Sequence, residues 1–190
     1  MINYDMIKGQ CGAWQKTTNR IRHILKAMPT KIFKVIKMKA LIMSDSHKNF
    51  SAIQNMIDAN PDIKLIIHAG DVHTDVEDIM MTYPLIPCAY VLGNNDFSVW
   101  GVPYDRFFEF GGKKIFLTHG HNYGVKMSPA RVIAEAKKKG ADICIFGHTH
   151  KQYFDFKDIL VINPGAAHRS YAILTITEGE ASVEFIDNDY

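Results

Sequence analysis

Seven residues of metal-ligating types lie directly after apolar segments, at five separate places along the chain. They are carboxylates, one amide and imidazoles: Asp45, His47, Asp71, Asn94, His119, His148 and His150. A single residue of this kind at a strand end is usually a turn or capping residue. Five such clusters, two of which repeat histidine at a spacing of two residues, are not expected from turn chemistry alone. Oxygen and imidazole donors from several loops are typical of a transition-metal site.

Each cluster follows a short apolar segment that we predict to be a strand. These segments are 40–43, 64–69, 88–92, 114–118 and 143–146, and a sixth, 159–163, ends at Pro-Gly. Because they are continuously apolar rather than alternating, the strands are expected to be covered on both faces. Ligands of α/β sheets bind beyond the carboxyl ends of the strands. The seven side chains are therefore expected to meet at one edge.

Three segments between the strands have helical patterns: 51–60, 75–82 and 128–139. The last has the clearest boundaries, with Ser128 as N-cap, Pro129 at the first helical position and Gly140 as the stop. Beyond residue 150 the pattern changes to short strands at 152–156, 159–163, 171–177 and 181–186. This order of elements predicts an α/β domain with two sheets.

The charge of the chain is divided unevenly. The net charge is +2 over 190 residues, but residues 1–38 hold eight Lys/Arg and one Asp, whereas residues 39–190 hold 14 Lys/Arg and 19 Asp/Glu. We therefore predict a basic N-terminal extension over 1–38 and one domain over 39–190. The acidic balance of the domain argues against nucleic-acid binding by this part. The extension is interpreted either as a membrane-surface or nucleic-acid arm, or as a translated upstream sequence ahead of a true start at Met38.

The sequence favours a cytoplasmic protein without a membrane span. A span requires a run of about 18 apolar residues, which the chain lacks, and its first 37 residues contain no apolar signal-peptide stretch. The three cysteines, Cys11, Cys88 and Cys144, form no CxxC pair. Cys88 and Cys144 lie in apolar segments and are predicted to be buried thiols, as expected in a reducing compartment.

The five clusters resemble, in order, the motifs of the calcineurin-like metallophosphoesterases, D-x-H, G-D, G-N-H-[DE], H and G-H-x-H. Here they read DSH (45–47), GD (70–71), GNND (93–96), THGH (118–121) and GHTH (147–150). The short length and the NPGA turn (163–166) are similar to the small YfcE-like phosphodiesterase branch. That branch also includes the non-catalytic scaffold subunit of the retromer coat. The resemblance implies a four-layer α-β-β-α sandwich, in which two packed mixed sheets are flanked by helices.

The same resemblance implies a centre of two divalent metal ions per chain. The first ion would be held by Asp45, His47, Asp71 and His150, and the second by Asp71, Asn94, His119 and His148, so that Asp71 bridges them. Manganese is the leading candidate, with iron, zinc and nickel as alternatives. The implied reaction is in-line attack of a bridging hydroxide on a small phosphodiester. A non-catalytic protein-interaction scaffold and a phosphomonoesterase are the alternatives, and homo-oligomer formation stays open.

Asn95 departs from the family pattern, which has histidine at this position to protonate or stabilise the leaving oxygen. An amide donates a hydrogen bond but releases no proton at physiological pH. We predict catalytic roles for Asn95 and His121, and substrate contacts for Asn94, Asn95, His121 and Phe97. With no histidine to orient, Asp96 is expected to cap the turn.

Two further histidines lie near the clusters. His68, inside an apolar segment, is predicted to be a buried, hydrogen-bonded residue behind the ligands. His73, two residues past Asp71, is predicted to lie either at the mouth of the cleft or on an exposed loop.

Overall fold

A computed structural model describes residues 37–97 and 99–188. Most of the predicted basic extension, including Cys11, lies outside the described residues. Within them the chain forms ten strands, three α-helices and one 3₁₀ turn. The strands are β1 (Lys37–Met43), β2 (Leu65–His68), β3 (Cys88–Tyr90), β4 (Asp105–Phe110), β5 (Lys113–Thr118), β6 (Ile143–Ile145), β7 (Gln152–Phe156), β8 (Leu160–Pro164), β9 (Ser170–Thr177) and β10 (Glu180–Asp187). The helices are α1 (Phe50–Asp58), α2 (His73–Thr82) and α3 (Ala130–Lys138), and the 3₁₀ turn is His121–Tyr123.

The strands build two mixed sheets of five strands each. The first has the order β10-β9-β1-β2-β3, and β1, β2 and β3 run parallel in it. The second has the order β4-β5-β6-β8-β7, and β5, β6 and β8 run parallel in it. Met43 near the end of β1 lies opposite His68 at the end of β2. The loops that follow neighbouring parallel strands therefore start side by side.

The two sheets pack face to face on an aliphatic core. Ile42 of the first sheet and Leu117 of the second are fully buried in it. The apolar faces of α1 and α2 cover the outside of the first sheet through residues such as Ile53 and Ile79. On the outside of the second sheet, α3 inserts Val132. The order of layers is α-β-β-α, which confirms the predicted architecture.

Three local features differ from the sequence-based expectation. No strand is predicted at 105–110, yet β4 forms there as an edge strand hydrogen-bonded to β5. The N-cap of α3 is Pro129, while the Ser128 hydroxyl accepts a hydrogen bond from the Ala130 N–H at 3.2 Å. Cys144 is fully buried as predicted, but Cys88 is only half-buried, because β3 lies at the edge of its sheet. None of the helices in the described part of the chain is long and apolar enough to cross a membrane.

Candidate metal centre

Five loops bring the seven predicted ligands together at one end of the sheets. The loops follow β1, β2 and β3 of the first sheet and β5 and β6 of the second. Loops from both sheets therefore supply the site, as expected from residues placed after the carboxyl ends of parallel strands.

The first group of donor atoms comes from Asp45, His47 and His150, which lie within 4.8 Å of one another. His150 Nε2 is 3.2 Å from Asp45 Oδ1, and the rings of His47 and His150 have centroids 5.2 Å apart. Asp45 is fully buried, whereas both histidines are exposed. This group therefore opens to solvent on one side.

The second group comes from Asp45, Asp71 and His119, all of which are buried. His119 Nε2 lies 3.6 Å from Asp71 Oδ2 and 3.9 Å from Asp45 Oδ1. The same nitrogen lies 3.1 Å from Asn94 Oδ1 and 3.2 Å from His148 Nδ1. Ligands held at about 2.0–2.2 Å from one ion lie about 2.8–3.6 Å from each other in tetrahedral or octahedral geometry. Most of these separations fit donors arranged around one cation.

The hydrogen bond of His119 fixes which of its nitrogens faces the centre. Its Nδ1–H donates to the Ala69 carbonyl at 2.8 Å, so Nε2 of the neutral ring carries a lone pair. This lone pair faces the oxygens of Asp45, Asp71 and Asn94, which are acceptors as well. Asn95 donates to Asp71, and His148 Nδ1 lies 3.2 Å from His119 Nε2, but more acceptors than donors converge here. The surplus acceptors repel one another, and two buried carboxylates add to the cost. A bound cation would turn this repulsion into attraction.

Asp45 belongs to both groups in this geometry. Its Oδ2 accepts hydrogen bonds from Ser44 Oγ at 2.6 Å and from the His148 N–H at 3.0 Å, which hold the carboxylate in place. Its Oδ1 is buried and has no hydrogen-bond partner among the described residues. Such an atom is costly unless a ligand satisfies it. The donor set therefore fits a metal ion, and Asp45 lies between the two groups, while the bridging role of Asp71 stays a prediction.

The pKa values of two histidines in the site keep them neutral. Burial, reinforced by the neighbouring His119, lowers the pKa of His148 to about 4. Burial is also the main cause that lowers the pKa of His121. Neutral imidazole is the form that ligates metal ions. His148 is therefore ready to ligate near pH 7 without first losing a proton.

Five of the seven predicted ligands have backbone conformations in the left-handed region, which residues other than glycine seldom adopt. Each such conformation is costly and persists where the surrounding structure enforces it, often at functional sites. Lys48 and Glu178 are the only other non-glycine examples in the described part of the chain. The five ligands and their φ angles are Asp45 (53°), His47 (49°), Asp71 (51°), His148 (66°) and His150 (58°).

Asp96 ties two loops of the site together, its own and the one after β2. Its Oδ2 accepts the N–H groups of Gly93 at 2.7 Å and Asp71 at 3.3 Å, and its Oδ1 accepts the His73 N–H at 2.6 Å. The expectation that Asp96 caps the Gly93–Asp96 turn is confirmed, and it also fixes the loop that carries Asp71.

A second buried network supports the loop after β1. The Gly70 N–H donates to His68 Nδ1 at 3.2 Å, so His68 Nε2–H donates to Ser46 Oγ at 3.1 Å. Ser46 Oγ in turn donates to Asp75 Oδ2 at 2.5 Å, and the Lys48 N–H donates to the same oxygen at 2.9 Å. Burial lowers the pKa of His68 to about 4. The predicted buried role of His68 is confirmed, whereas Ser46 and Asp75 were not predicted.

The predicted substrate-contacting residues surround the centre. Asn95 donates from its backbone N–H to Asp71 Oδ1 at 2.9 Å and from Nδ2 to Asp71 Oδ2 at 2.7 Å. The His121 ring lies 5.4 Å from that of His119, and its Nδ1 is buried without a hydrogen-bond partner in the described part of the chain. Phe97 is 79% exposed. It lines a cavity of about 470 Å³ together with Asn95 and His73, so His73 lies at the cleft, at the start of α2, rather than on an exposed loop.

Comparison with known proteins places this geometry among phosphoesterases. The family model described as the calcineurin-like phosphoesterase superfamily domain matches residues 38–179. The chain is 34% identical over 160 residues to the probable metallophosphoesterase YsnB of Bacillus subtilis, covering 79% of this chain and 91% of that protein. It is 33% identical over 154 residues to phosphodiesterase MJ0936 of Methanocaldococcus jannaschii, covering 67% and 83%.

A solved structure has the same fold. It is a conserved protein of Streptococcus pneumoniae described as a predicted phosphoesterase, with a TM-score of 0.65 and 27% sequence identity. The match covers 82% of this chain and 92% of that chain. The range matched by the family model, residues 38–179, includes all seven predicted ligands.

Proposed function

The chain belongs to the calcineurin-like phosphoesterase superfamily, and from this premise we propose that it is a metal-dependent phosphodiesterase with a dinuclear centre. The observation that carries the proposal is the convergence of acceptor atoms, one of them buried and unpaired, on one point. Asp45 Oδ1 is buried without a hydrogen-bond partner in the described part of the chain, and His119 Nε2 lies within 4 Å of carboxylate oxygens of both Asp45 and Asp71. That arrangement is suited to cations and has no evident use in a scaffold protein.

The proposed ligands form two sets that share a carboxylate. Asp45, His47, Asp71 and His150 would hold one ion, and Asp71, Asn94, His119 and His148 the other. Mixed oxygen and imidazole ligands suit manganese, with iron, zinc and nickel as alternatives. When bound, two divalent ions neutralise phosphate charge and activate water as a nucleophile at neutral pH.

The remaining residues of the site bind and orient the substrate in this proposal. Asn95 offers an amide N–H to the leaving oxygen once it releases Asp71. His121, neutral because burial lowers its pKa, offers a hydrogen bond to a phosphate oxygen. Phe97 presents an exposed ring to one arm of the ester.

The absence of a proton donor at position 95 favours diesters with good leaving groups over monoesters. A phosphate dianion that expels an alkoxide needs protonation of the leaving oxygen, and an amide cannot supply it. The proposed substrate is therefore a small phosphodiester.

A screen of metals against substrates tests this function. Chelator-stripped protein is reconstituted with Mn²⁺, Fe²⁺, Zn²⁺ or Ni²⁺ and assayed on aryl diesters, cyclic-nucleotide diesters and aryl monoesters. We expect turnover to require metal and to be fastest on aryl diesters. Metal uptake without turnover of any ester would instead favour the scaffold alternative, and preference for monoesters would favour a phosphomonoesterase.

Replacing Asn95 by histidine is expected to help most where the leaving group is poor. Nitrophenolate departs without a proton, so the rate of hydrolysis of nitrophenyl diesters should change little. For alkyl leaving groups we expect a gain below the roughly 10²–10⁴-fold of a well-placed general acid. The gain stays smaller because Asp96 already accepts three backbone N–H groups and is not free to orient the new ring.

The measurement is kcat/KM for wild type and Asn95→His across diesters of graded leaving-group pKa. The variant should also lose activity at high pH, where the imidazolium deprotonates. An equal effect across the series would mean that position 95 does not act on the leaving oxygen.

A further inference from the structure

The cavity of about 470 Å³ adjoins the candidate metal centre. His47, a predicted ligand, and Asn95, which bonds to Asp71, both line it. The other walls include Lys48, Val72, His73 and Phe97. Its volume lies within the range of small-molecule sites, about 300–1,000 Å³. A group attached to a phosphorus atom at the centre can therefore enter it.

Lys48 supplies a positive charge to this cavity. Its backbone is held by the hydrogen bond from its N–H to the buried Asp75 carboxylate. Its ammonium forms no salt bridge among the described residues. Asp96, the carboxylate in the lining, is buried and already accepts three backbone N–H groups. The charge of Lys48 is thus free to bind an anion.

The apolar part of the cavity lining is suited to a flat apolar group. Phe97 is 79% exposed, and Val72 lies in the same lining. An exposed aromatic ring beside an aliphatic side chain is a stacking surface for an aryl ring or a nucleobase. His73 adds a buried Nδ1 that has no hydrogen-bond partner in the described part of the chain.

We propose that this cavity binds the arm of a substrate that carries an aromatic base and a second phosphate, with the base against Phe97 and the second phosphate on Lys48. The inference rests on the proposed function, because the metal centre is taken to hold the first phosphate. It narrows the substrate class to nucleotide diesters that bear an additional anionic group. Lys48 acts here as a specificity-determining residue, since it lies outside both proposed ligand sets.

Equilibrium binding tests the proposal without relying on turnover. Calorimetry on the Mn²⁺-reconstituted protein compares thymidine 3′,5′-bisphosphate with thymidine 5′-monophosphate and 3′-monophosphate. We expect the bisphosphate to bind about 5- to 30-fold more tightly than either monophosphate, as for a charge-assisted contact. Lys48→Met should remove this difference and change the monophosphate Kd by less than about twofold, because methionine is unbranched and only one atom shorter than lysine but carries no charge.

Lys126→Met is the matched control. The charge of Lys126 contributes to lowering the pKa of His148, so it acts on the centre, but Lys126 does not line the cavity. This variant should keep the bisphosphate preference. If both variants lost the bisphosphate preference equally, long-range attraction of the anion instead of a defined site would explain it, and the proposal would be wrong. It would also fall if wild type showed no preference, or if the preference survived in Lys48→Met.

A second variant tests the aromatic wall. Phe97→Leu should weaken the binding of thymidine bisphosphate by about five- to tenfold, because stacking on an aromatic side chain is lost. The affinity for the base-free deoxyribose bisphosphate should not change. Equal weakening of both ligands would contradict the placement of the base. Turnover of an aryl diester, assayed in parallel, reports separately on the proposed function, so that the two can fail independently.

Discussion

Asp71→Asn is expected to lower kcat/KM on an aryl diester by about 10³-fold or more, since metal-assisted charge stabilisation contributes several kcal/mol. We expect this to exceed the loss from any other single ligand change, because Asp71 is the residue proposed to contact both ions. The metal content of the purified variant should fall from about two ions per chain.

The hydrogen bonds of Asp71 explain why even this small change is severe. Both of its oxygens accept from Asn95, Oδ1 from the backbone N–H and Oδ2 from Nδ2–H. An asparagine at position 71 must point its own NH₂ at one of these two donors. The side chain then either rotates away or displaces the Asn95 loop, and in both cases the geometry toward His119 is lost.

Asp142→Asn is the matched control for this variant. Asp142 also accepts a backbone N–H, from Lys114 at 2.8 Å, but it is exposed and belongs to neither ligand group. The Asp142→Asn variant should retain the metal content and the kcat/KM of the wild type. If Asp71→Asn keeps both ions and most of its activity, the bridging assignment is wrong.

Gly93→Ala is expected to disrupt the centre without replacing any ligand. A Cβ at Gly93 would overlap Asp71 Oδ1 and lie 2.5 Å from the Asp71 backbone nitrogen. Because a backbone atom is among the contacts, the clash cannot be relieved by a side-chain rotation. The loop must shift, which weakens the hydrogen bonds from Asp71 and Gly93 to Asp96. We expect the free energy of unfolding to fall by about 1–3 kcal/mol, as for overpacking of a buried site.

The decisive measurement for Gly93→Ala is its metal affinity, determined together with its free energy of unfolding. Denaturant unfolding gives the stability, and titration of Mn²⁺ into stripped protein gives the affinity. The control is Gly112→Ala, at a turn where φ is +79° and a Cβ would meet no atom within 4 Å. That variant carries backbone strain but no clash, so it should lose stability and keep metal affinity. Unchanged metal binding in Gly93→Ala would show that the close approach to Asp71 is unimportant.

The sequence was sufficient to predict which end of the sheets carries the site. Apolar segments such as 40–43 and 143–146 are covered on both faces, and a polar cluster directly after each one must lie in the loop beyond it. The residues that supply the donor atoms could be predicted for the same reason, since they stand in these polar clusters. The edge strand β4 could not, because its burial alternates irregularly and its pairing with β5 decides its conformation.

The contacts that hold the ligands in place could not be predicted from sequence. Ser46 and Asp75 are 29 residues apart, and Asp96 reaches back 25 residues to Asp71. Neither pair has a spacing that distinguishes it from ordinary serine and aspartate residues in loops. The role of Lys48 in the cavity was missed similarly, because the sequence does not show that this residue shares a cavity with Val72 and Phe97, 24 and 49 residues further along the chain.

The most direct test of the dinuclear centre is anomalous scattering from crystals of the Mn²⁺-reconstituted protein. The proposal predicts two manganese peaks about 3.5–4 Å apart. One should lie among Asp45, His47 and His150, the other among Asn94, His119 and His148, with a carboxylate oxygen of Asp71 within ligand distance of each. A single peak, or two peaks bridged by Asp45 while Asp71 stays bonded to Asn95, would contradict the proposed assignment.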